Sequence, residues 1–248
     1  MKLQELLDHI GGPSMLDDRV EQLSGEADEL FSDATIVRHL NEGQRRLCRD
    51  AWILEDTQTA EVCEVPLTED QTDYDIHKSV LGIKYIRLSD SDVDLLRVGY
   101  DDNRLHAAIA SFDPDFWDVN VQTSETSGRP SRWSADIGTR VIRVRQKPDA
   151  TAAALKLRLA VVRMPLVDLD PAKLSASPEV PEEYHMDLAE YAAGKCLASA
   201  NVDAELKVQG RSWVKGFDER VRKAMRDRQR FQQAAPQWRC GGWGRGNS

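Results

Sequence analysis

Two aspartates have a spacing that could support glycosidic chemistry. Asp113 and Asp115 flank Pro114 and stand next to Phe116 and Trp117. A glycoside hydrolase uses two carboxylates roughly 5 to 10 Å apart, close to the sugar that is cleaved. Aspartate and proline are also common turn residues, so the pattern favours a turn. A carbohydrate-active or carbohydrate-binding β-domain is therefore kept as the alternative function.

A second acidic group has part of the spacing of a calcium loop. Asp90, Asp92 and Asp94 occupy alternate positions, and Asp101 falls at the twelfth position of such a loop. However, Leu95 stands where the loop requires glycine for its sharp turn, and the twelfth ligand would be a short carboxylate. We therefore predict a solvated acidic edge and no metal site here.

The remaining residues with chemical potential are scattered. No CxxC pair, GxSxG, HExxH, Gly-rich phosphate loop or dinucleotide fingerprint occurs. This pattern predicts free thiols, no cofactor and no catalytic centre, with His39 and His185 in packing or surface roles. The cysteines are Cys48, Cys63, Cys196 and Cys240, and the histidines are His9, His39, His77, His106 and His185.

The C-terminal segment carries the most suggestive set of binding residues. Trp238, Arg239, Trp243 and Arg245 lie within a Gly-rich stretch that has no periodicity. Tryptophan and arginine are over-represented at binding hot spots, and a flexible segment can settle into a groove on another protein. We therefore predict that these four residues bind a protein partner, with a frayed basic end as the alternative.

Composition excludes several classes of protein. The chain has 248 residues and a formal net charge of -9, which is unfavourable for a general nucleic-acid binder. It contains no run of about 18 apolar residues, and its first residues lack the pattern of a signal peptide. Residues 211–248 hold ten Lys or Arg and three Asp or Glu, a charge of +7, which leaves -16 for residues 1–210. The two parts are therefore expected to face different surroundings.

Helical periodicity appears at both ends of the chain. Apolar residues at Leu3, Leu6, Leu7 and Ile10 predict a short helix, and residues 33–54 predict a longer amphipathic one. Pro181 suits the first turn of another helix, which we expect to be buried on two sides, including the side of Met186.

The final predicted helix runs from about residue 202 to residue 233. Gly210 lies on its apolar stripe, so either the helix bends there or another helix approaches closely. Its polar face places Asp218 four residues before Arg222, and Glu219 four residues before Lys223, which predicts two ion pairs within the helix.

Between the helices the pattern changes to short strands. We expect strands at residues 60–65, 83–88 and 93–98, and a short helix is compatible with residues 105–112. Alternation is clearest in residues 142–145 and 155–161, which predict a hairpin across the turn QKPDA.

These elements predict an α+β protein. A helical body, made of the N-terminal helix and two long C-terminal helices, would carry an inserted antiparallel β-domain. The expected divisions are an N-terminal helical part at 1–55, the β-domain at 56–165, a Pro-rich connector at 166–181, C-terminal helices at 182–233 and an extended tail at 234–248.

Several segments in this order resemble one family of proteins. They are SDATIVRHLNEGQRRLCRDAWIL followed by DTQT, DPDFWD with SGRPSRW, TRVIRVRQKPDATAAALKLRLAVVRMP, and VPEEYHMDLAEYAAGKCLASANVDAEL with its basic helix. Together they cover roughly residues 30–233 and are similar to the head-to-tail adaptor (connector or gatekeeper) proteins of short-tailed and related tailed bacteriophages.

The resemblance implies a structural virion protein with no enzymatic activity and no cofactor. It implies a homo-oligomeric ring, usually of twelve copies, that lies beneath the portal protein and offers a platform for the tail nozzle or tail tube. DNA would pass through the ring without sequence-specific binding, and no membrane would be involved. The resemblance assigns portal docking to the segment with Trp238, Arg239, Trp243 and Arg245. Another tail-completion or tail-tube component is the remaining alternative, and either would be made in the host cytoplasm.

Overall fold

The computed structural model describes residues 1–11, 15–16, 31–97, 127–199 and 204–234. The chain divides into two compact units. Residues 1–53 and 168–248 form one, here called the helical unit, and residues 54–167 form the other, here called the β unit. The chain thus enters the β unit once and returns once, and the α+β fold class predicted from the sequence is confirmed.

The helices have the following bounds. In the helical unit they are α1 (Leu3–Gly11), α2 (Asp33–Ala51), α4 (His185–Ser199) and α5 (Ala204–Ala234). In the β unit, α3 (Ala60–Cys63) is a helix of one turn. A 3-10 turn at Glu182–Tyr184 leads into α4. Helix α2 ends three residues before the predicted limit at Leu54, because Trp52 adopts a left-handed conformation and its N–H caps the carbonyl of Cys48.

Helix α4 is the most enclosed helix of its unit. Its neighbours are α1, α2 and α5, and Leu188, Ala189, Ala192 and Ala193 are fully buried on it. Small alanines at these positions allow several helices to approach α4 closely. The prediction of burial on two sides is correct for most of the helix but wrong at Met186, which is 39% exposed.

The described residues of the β unit form two four-stranded sheets and one two-stranded sheet. In the first sheet the central strand β10 (Lys156–Arg163) pairs along its length with β4 (Val80–Leu88), and the short strands β1 (Glu55–Asp56) and β2 (Glu64–Pro66) pair with its two ends. The second sheet has the order β3 (Asp73–Asp75), β8 (Val141–Arg145), β7 (Arg132–Asp136) and β5 (Leu96–Arg97). The third joins β6 (Ser127–Gly128) to β9 (Lys147–Pro148). In the two four-stranded sheets all neighbouring strands are antiparallel except β5 and β7, which are parallel.

The predicted hairpin between residues 142–145 and 155–161 does not form. Strand β8 pairs with β3 and β7, whereas β10 pairs in the other four-stranded sheet. Gln146 has a φ of 73°, a left-handed conformation that redirects the chain at the end of β8. Alternation correctly predicted the buried faces, since Ile142 and Val144 share a core with Leu157, but alternation carries no information about which strand is the partner.

Two other predicted strands change in detail. Residues 60–63 form the turn of α3, and the strand begins only at Glu64. Asp56 accounts for this difference, because its carboxylate accepts hydrogen bonds from the backbone N–H groups of Gln58 (2.9 Å) and Thr59 (3.0 Å) at the start of the turn. The strand expected at 93–98 is limited to Leu96–Arg97 within the described residues, and the helix considered at 105–112 lies outside them.

Candidate interaction surfaces on the C-terminal helices

The residues predicted to bind a partner or a sugar lie outside the described ranges. This is true of Trp238, Arg239, Trp243 and Arg245, and equally of Asp113, Asp115 and Trp117. Their roles therefore stay predictions from the sequence. The surfaces that the structure does describe are those of the helical unit and of the two β-sheets.

Two of the three aspartates at 90–94 form salt bridges with arginines. Asp94 pairs with Arg87 at 2.5 Å, and Asp90 pairs with Arg129 at 2.7 Å. Within the described ranges, no three His, Cys, Asp or Glu side chains converge as a metal site requires. The prediction of a solvated acidic edge agrees with the exposure of the Asp94 and Asp90 side chains, which is 51% and 41%, and each arginine supplies the positive charge that a cation would otherwise bring.

The described cysteines are poorly suited to nucleophilic chemistry. Cys48, Cys63 and Cys196 are buried thiols that form no disulfide. Burial raises the pKa of both Cys63 and Cys196 to about 11, so neither forms appreciable thiolate at neutral pH. The fourth cysteine, Cys240, is outside the described part of the chain.

Both histidines predicted to have packing or surface roles are buried. The Nε2–H group of His185 donates to the carbonyl of Val180 at 2.9 Å, which leaves Nδ1 to accept a hydrogen bond from the Met1 ammonium at 3.0 Å. His39 contacts Glu42 at 3.3 Å. Burial lowers the pKa of His185 and of His39, so both imidazoles are neutral at pH 7 and act in packing.

A close crossing of α4 and α5 is the central feature of the helical unit. An ideal Cβ added to Gly210 would lie 2.7 Å from the carbonyl oxygen of Gly194 and 2.9 Å from the backbone nitrogen of Ala198. A Cβ added to Gly194 would lie 2.8 Å from the carbonyl oxygen of Gly210. Of the two sequence-based alternatives for Gly210, the structure therefore selects the close approach of another helix. Gly194, its counterpart on α4, was not anticipated.

Charged groups join α5 to α4 beside this crossing. Arg220 pairs through Nε with Asp187 at 2.8 Å and through a terminal nitrogen with Glu190. Burial raises the pKa of Asp187 and opposes its ionisation, while the guanidinium of Arg220 acts in the other direction. Arg220 was not singled out in the sequence, because its two partners lie about thirty residues earlier in the chain and are brought near only when α4 and α5 pack.

A second polar network joins α2 to the C-terminal helices. The hydroxyl of Tyr191 donates to Glu42 at 2.9 Å, and Lys195 lies 3.2 Å from the same carboxylate oxygen. Arg46 of α2 pairs with Asp218 of α5 at 2.8 Å. Burial, followed by the hydrogen bond to Glu42, raises the pKa of Tyr191 to about 12, so the phenol stays protonated as a donor. These contacts fix the orientation of α2, α4 and α5.

The pairing of Asp218 corrects the predicted ion pair between Asp218 and Arg222 within α5. Its carboxylate points to Arg46 on another helix and not to Arg222 on its own. Arg222 is exposed, and the second predicted pair, Glu219 with Lys223, is exposed at both residues and forms no salt bridge among the described side chains. The sequence spacing satisfied the rule for neighbours on a helix, but a partner on α2 competes for the same carboxylate.

The solvent face of α5 carries a line of cations that we name the basic stripe. It consists of Arg211, Lys215, Arg222 and Arg226, and all four side chains are exposed. Their spacings of four, seven and four residues place them on one side of the helix, where the exposed Glu219 lies between Lys215 and Arg222. Sequence reasoning noted only the excess of basic residues after 210, and a helical projection of residues 204–234 would have revealed the stripe.

None of the helices within the described ranges is both long and apolar enough to span a bilayer. A search of curated proteins gave no match. A family model described as SU10 adaptor protein matches residues 3–239, which include both the helical unit and the β unit. Because the match extends over nearly the whole sequence, the chain belongs to the SU10 adaptor protein family, a family of phage head-to-tail adaptors.

Proposed function

We propose that this protein forms a homo-oligomeric ring of about twelve copies that joins the portal of a tailed phage to its tail and continues the DNA channel. The family match over residues 3–239 carries the proposal. In this role the protein has a structural and not a catalytic function. It is assembled into the virion at the head-to-tail junction after synthesis in the host cytoplasm.

The architecture supports a ring in physical terms. A closed ring requires that each subunit present two different surfaces that complement one another. A helical unit whose helices are locked by the Gly194–Gly210 crossing and by the Arg46–Asp218 pair can transmit load between such surfaces without changing shape. The charge of -16 on residues 1–210 favours a channel through which DNA slides, since acidic walls repel phosphates.

Portal docking is assigned to the C-terminal tail at 234–248, with Trp238, Arg239, Trp243 and Arg245 as its anchors. The nozzle or tail tube protein would bind another surface of the same ring. The carbohydrate-active alternative rests on Asp113 and Asp115, which lie outside the described residues, so it stays a prediction from the sequence.

Assembly with the portal protein tests the proposal. The full-length chain is mixed with purified portal rings, and the complex is isolated by gradient sedimentation and imaged. We expect a ring of the adaptor on one face of the portal, with a subunit number that can be counted. If the full-length chain never joins the portal in any stoichiometry, the proposed function is wrong.

Truncation after Ala235 tests the assignment of the tail. We expect the truncated chain to fold but to bind the portal much less strongly. A matched pair of variants separates the residue types: Trp238→Ala with Trp243→Ala removes the aromatic anchors, and Arg239→Ala with Arg245→Ala removes only charge. Equal binding by the truncated and full-length chains would exclude the tail as the docking segment.

A further inference from the structure

The basic stripe on α5 is unusual in a chain that is acidic overall. Among the side chains that the structure describes, none pairs with Arg211, Lys215, Arg222 or Arg226. The cation that faces α4, Arg220, behaves differently and is held by Asp187 and Glu190. Arg220 on the packed side of α5 is thus neutralised inside the subunit, whereas the four cations of the stripe form no salt bridge with a described residue and have the exposed Glu219 as their one acidic neighbour along the stripe.

The stripe has a definite length and shape. Fifteen residues separate Arg211 from Arg226, which corresponds to about 22 Å along a helix at ~1.5 Å per residue. The apolar residues Leu206, Phe217 and Val221 are buried on the opposite side, so the stripe cannot turn inward. A rigid row of cations of this length fits an extended acidic surface better than a small anion.

The same unit carries a group of exposed carboxylates at the start of α1. Glu5 accepts a hydrogen bond from the backbone of Lys2 at 2.9 Å, and Glu182 contacts the Met1 ammonium at 3.1 Å, so the two carboxylates lie at the same end of the helix. Asp8 follows one turn later on α1. Together with Glu183 they form what we name the acidic face, and all four carboxylates are exposed. Two cations, the Met1 ammonium and Lys2, accompany them.

The acidic face is held rigidly to the helical unit. The N–H groups of Leu3 and Gln4 donate to the carbonyls of Ala176 (2.7 Å) and Leu174 (3.1 Å), and α1 packs on α4. Within one copy, no carboxylate of the acidic face pairs with a described cation of the stripe. Both surfaces thus remain open to a second copy.

From this complementarity we infer that the basic stripe of one copy docks on the acidic face of the next copy around the ring. This inference rests on the proposed ring and names the surfaces that close it. The contact is heterologous, because two different surfaces of the same chain meet, and repetition of such a contact generates a ring. The pairs are exposed and therefore screened by salt, so they determine register and direction more than affinity.

A charge exchange tests the inference on the full-length chain. One variant carries Arg222→Glu and Arg226→Glu, and another carries Asp8→Lys and Glu183→Lys. Each variant alone would set like charges against each other at every contact, and we expect at least a tenfold loss of ring assembly on the portal. Mixed in equal amounts, the two variants should assemble as alternating copies, because every contact then again joins opposite charges.

Several results would overturn the inference. They are normal assembly of either variant alone, failure of the mixture although circular dichroism shows both variants folded, and loss of assembly that does not depend on salt between about 50 mM and about 500 mM. Salt-dependent binding of a DNA duplex by the wild-type chain that is lost in the Arg222→Glu, Arg226→Glu variant would assign the stripe to DNA instead. The proposed function fails separately, if the wild-type chain itself forms no ring with the portal.

Discussion

The crossing of α4 and α5 leads to a prediction in which two effects of one methyl group oppose each other. Replacing Gly210 by alanine removes the cost of glycine inside a helix, a gain of about 0.5–1 kcal/mol. The new Cβ would however lie 2.7 Å from the carbonyl oxygen of Gly194 and 2.9 Å from the backbone nitrogen of Ala198. Because both obstacles are backbone atoms, no side-chain rotation relieves the contact and the helices must move apart.

Separation of two packed helices carries the larger cost. Overpacking by one methyl group costs about 1–3 kcal/mol, and the two backbone clashes place Gly210→Ala towards the upper part of this range. After subtraction of the gain in helix propensity, we expect the free energy of unfolding of the helical unit to fall by about 1–2 kcal/mol.

Gly216 supplies the matched control on the same helix. An added Cβ there meets only the guanidinium nitrogen of Arg220 at 4.0 Å. Gly216→Ala should therefore show the gain in propensity alone and stabilise the unit by about 0.5–1 kcal/mol. Both variants are compared with the wild type by urea unfolding followed through the helical circular dichroism signal. A Gly210→Ala chain as stable as the Gly216→Ala chain would contradict the close crossing.

Two further predictions concern buried ionisable groups. Burial lowers the pKa of His185 below its ordinary value, so below pH ~6.5 the unfolded chain binds more protons than the folded chain does. The contribution of His185 to the free energy of unfolding is therefore fully present above pH ~6.5 and decreases as the pH falls below it. Urea midpoints measured between about pH 7.5 and about pH 5.5 should show this decrease, and the slope should be shallower in His185→Asn, which takes up no proton there. In the β unit, Arg163 and Asp56 form an almost fully buried ion pair at 2.6 Å. Burial opposes the ionisation of Asp56, but hydrogen bonds from Thr59, Gln58 and Arg163 outweigh it and hold the pKa of Asp56 far below its usual range. Asp56→Asn removes the negative charge beside the buried guanidinium, which keeps its hydrogen bond to the Met164 carbonyl, and should cost about 3–5 kcal/mol in chemical unfolding. A cost below about 1 kcal/mol would show that water or another group replaces the carboxylate.

The elements that the sequence predicted well are those whose signal is local. Apolar spacing located α1, α2 and α5 within a few residues, because a helix that packs on one side must repeat its apolar residues near every 3.6 positions. The same argument identified the buried faces of β8 and β10. It failed for the hairpin, since strands with the same alternation can pair with any neighbour that shares the core.

The same distinction between local and long-range information applies to the candidate interaction surfaces. The basic excess after residue 210 could be counted in the sequence, and the tail residues Trp238 and Trp243 could be selected by type. The partner of Asp218 could not be predicted from the sequence, because Arg46 is distant in sequence and reaches the carboxylate only after α2 and α5 pack together. Consequently the sequence alone suggested a pair of Asp218 with Arg222 within α5, where the structure has a pair of Asp218 with Arg46 on α2.

The sequence by itself determined the fold class, the order of helical and β segments, and the absence of recognisable catalytic motifs, since each of these depends on residue type and spacing along the chain. Only the tertiary structure decided that Gly210 meets Gly194, that β8 and β10 belong to different sheets, and that the stripe and the acidic face are both exposed on one unit. The physical reason is that these features depend on distances between segments far apart in the chain, and those distances are set by packing and competition among many partners after the local elements have formed.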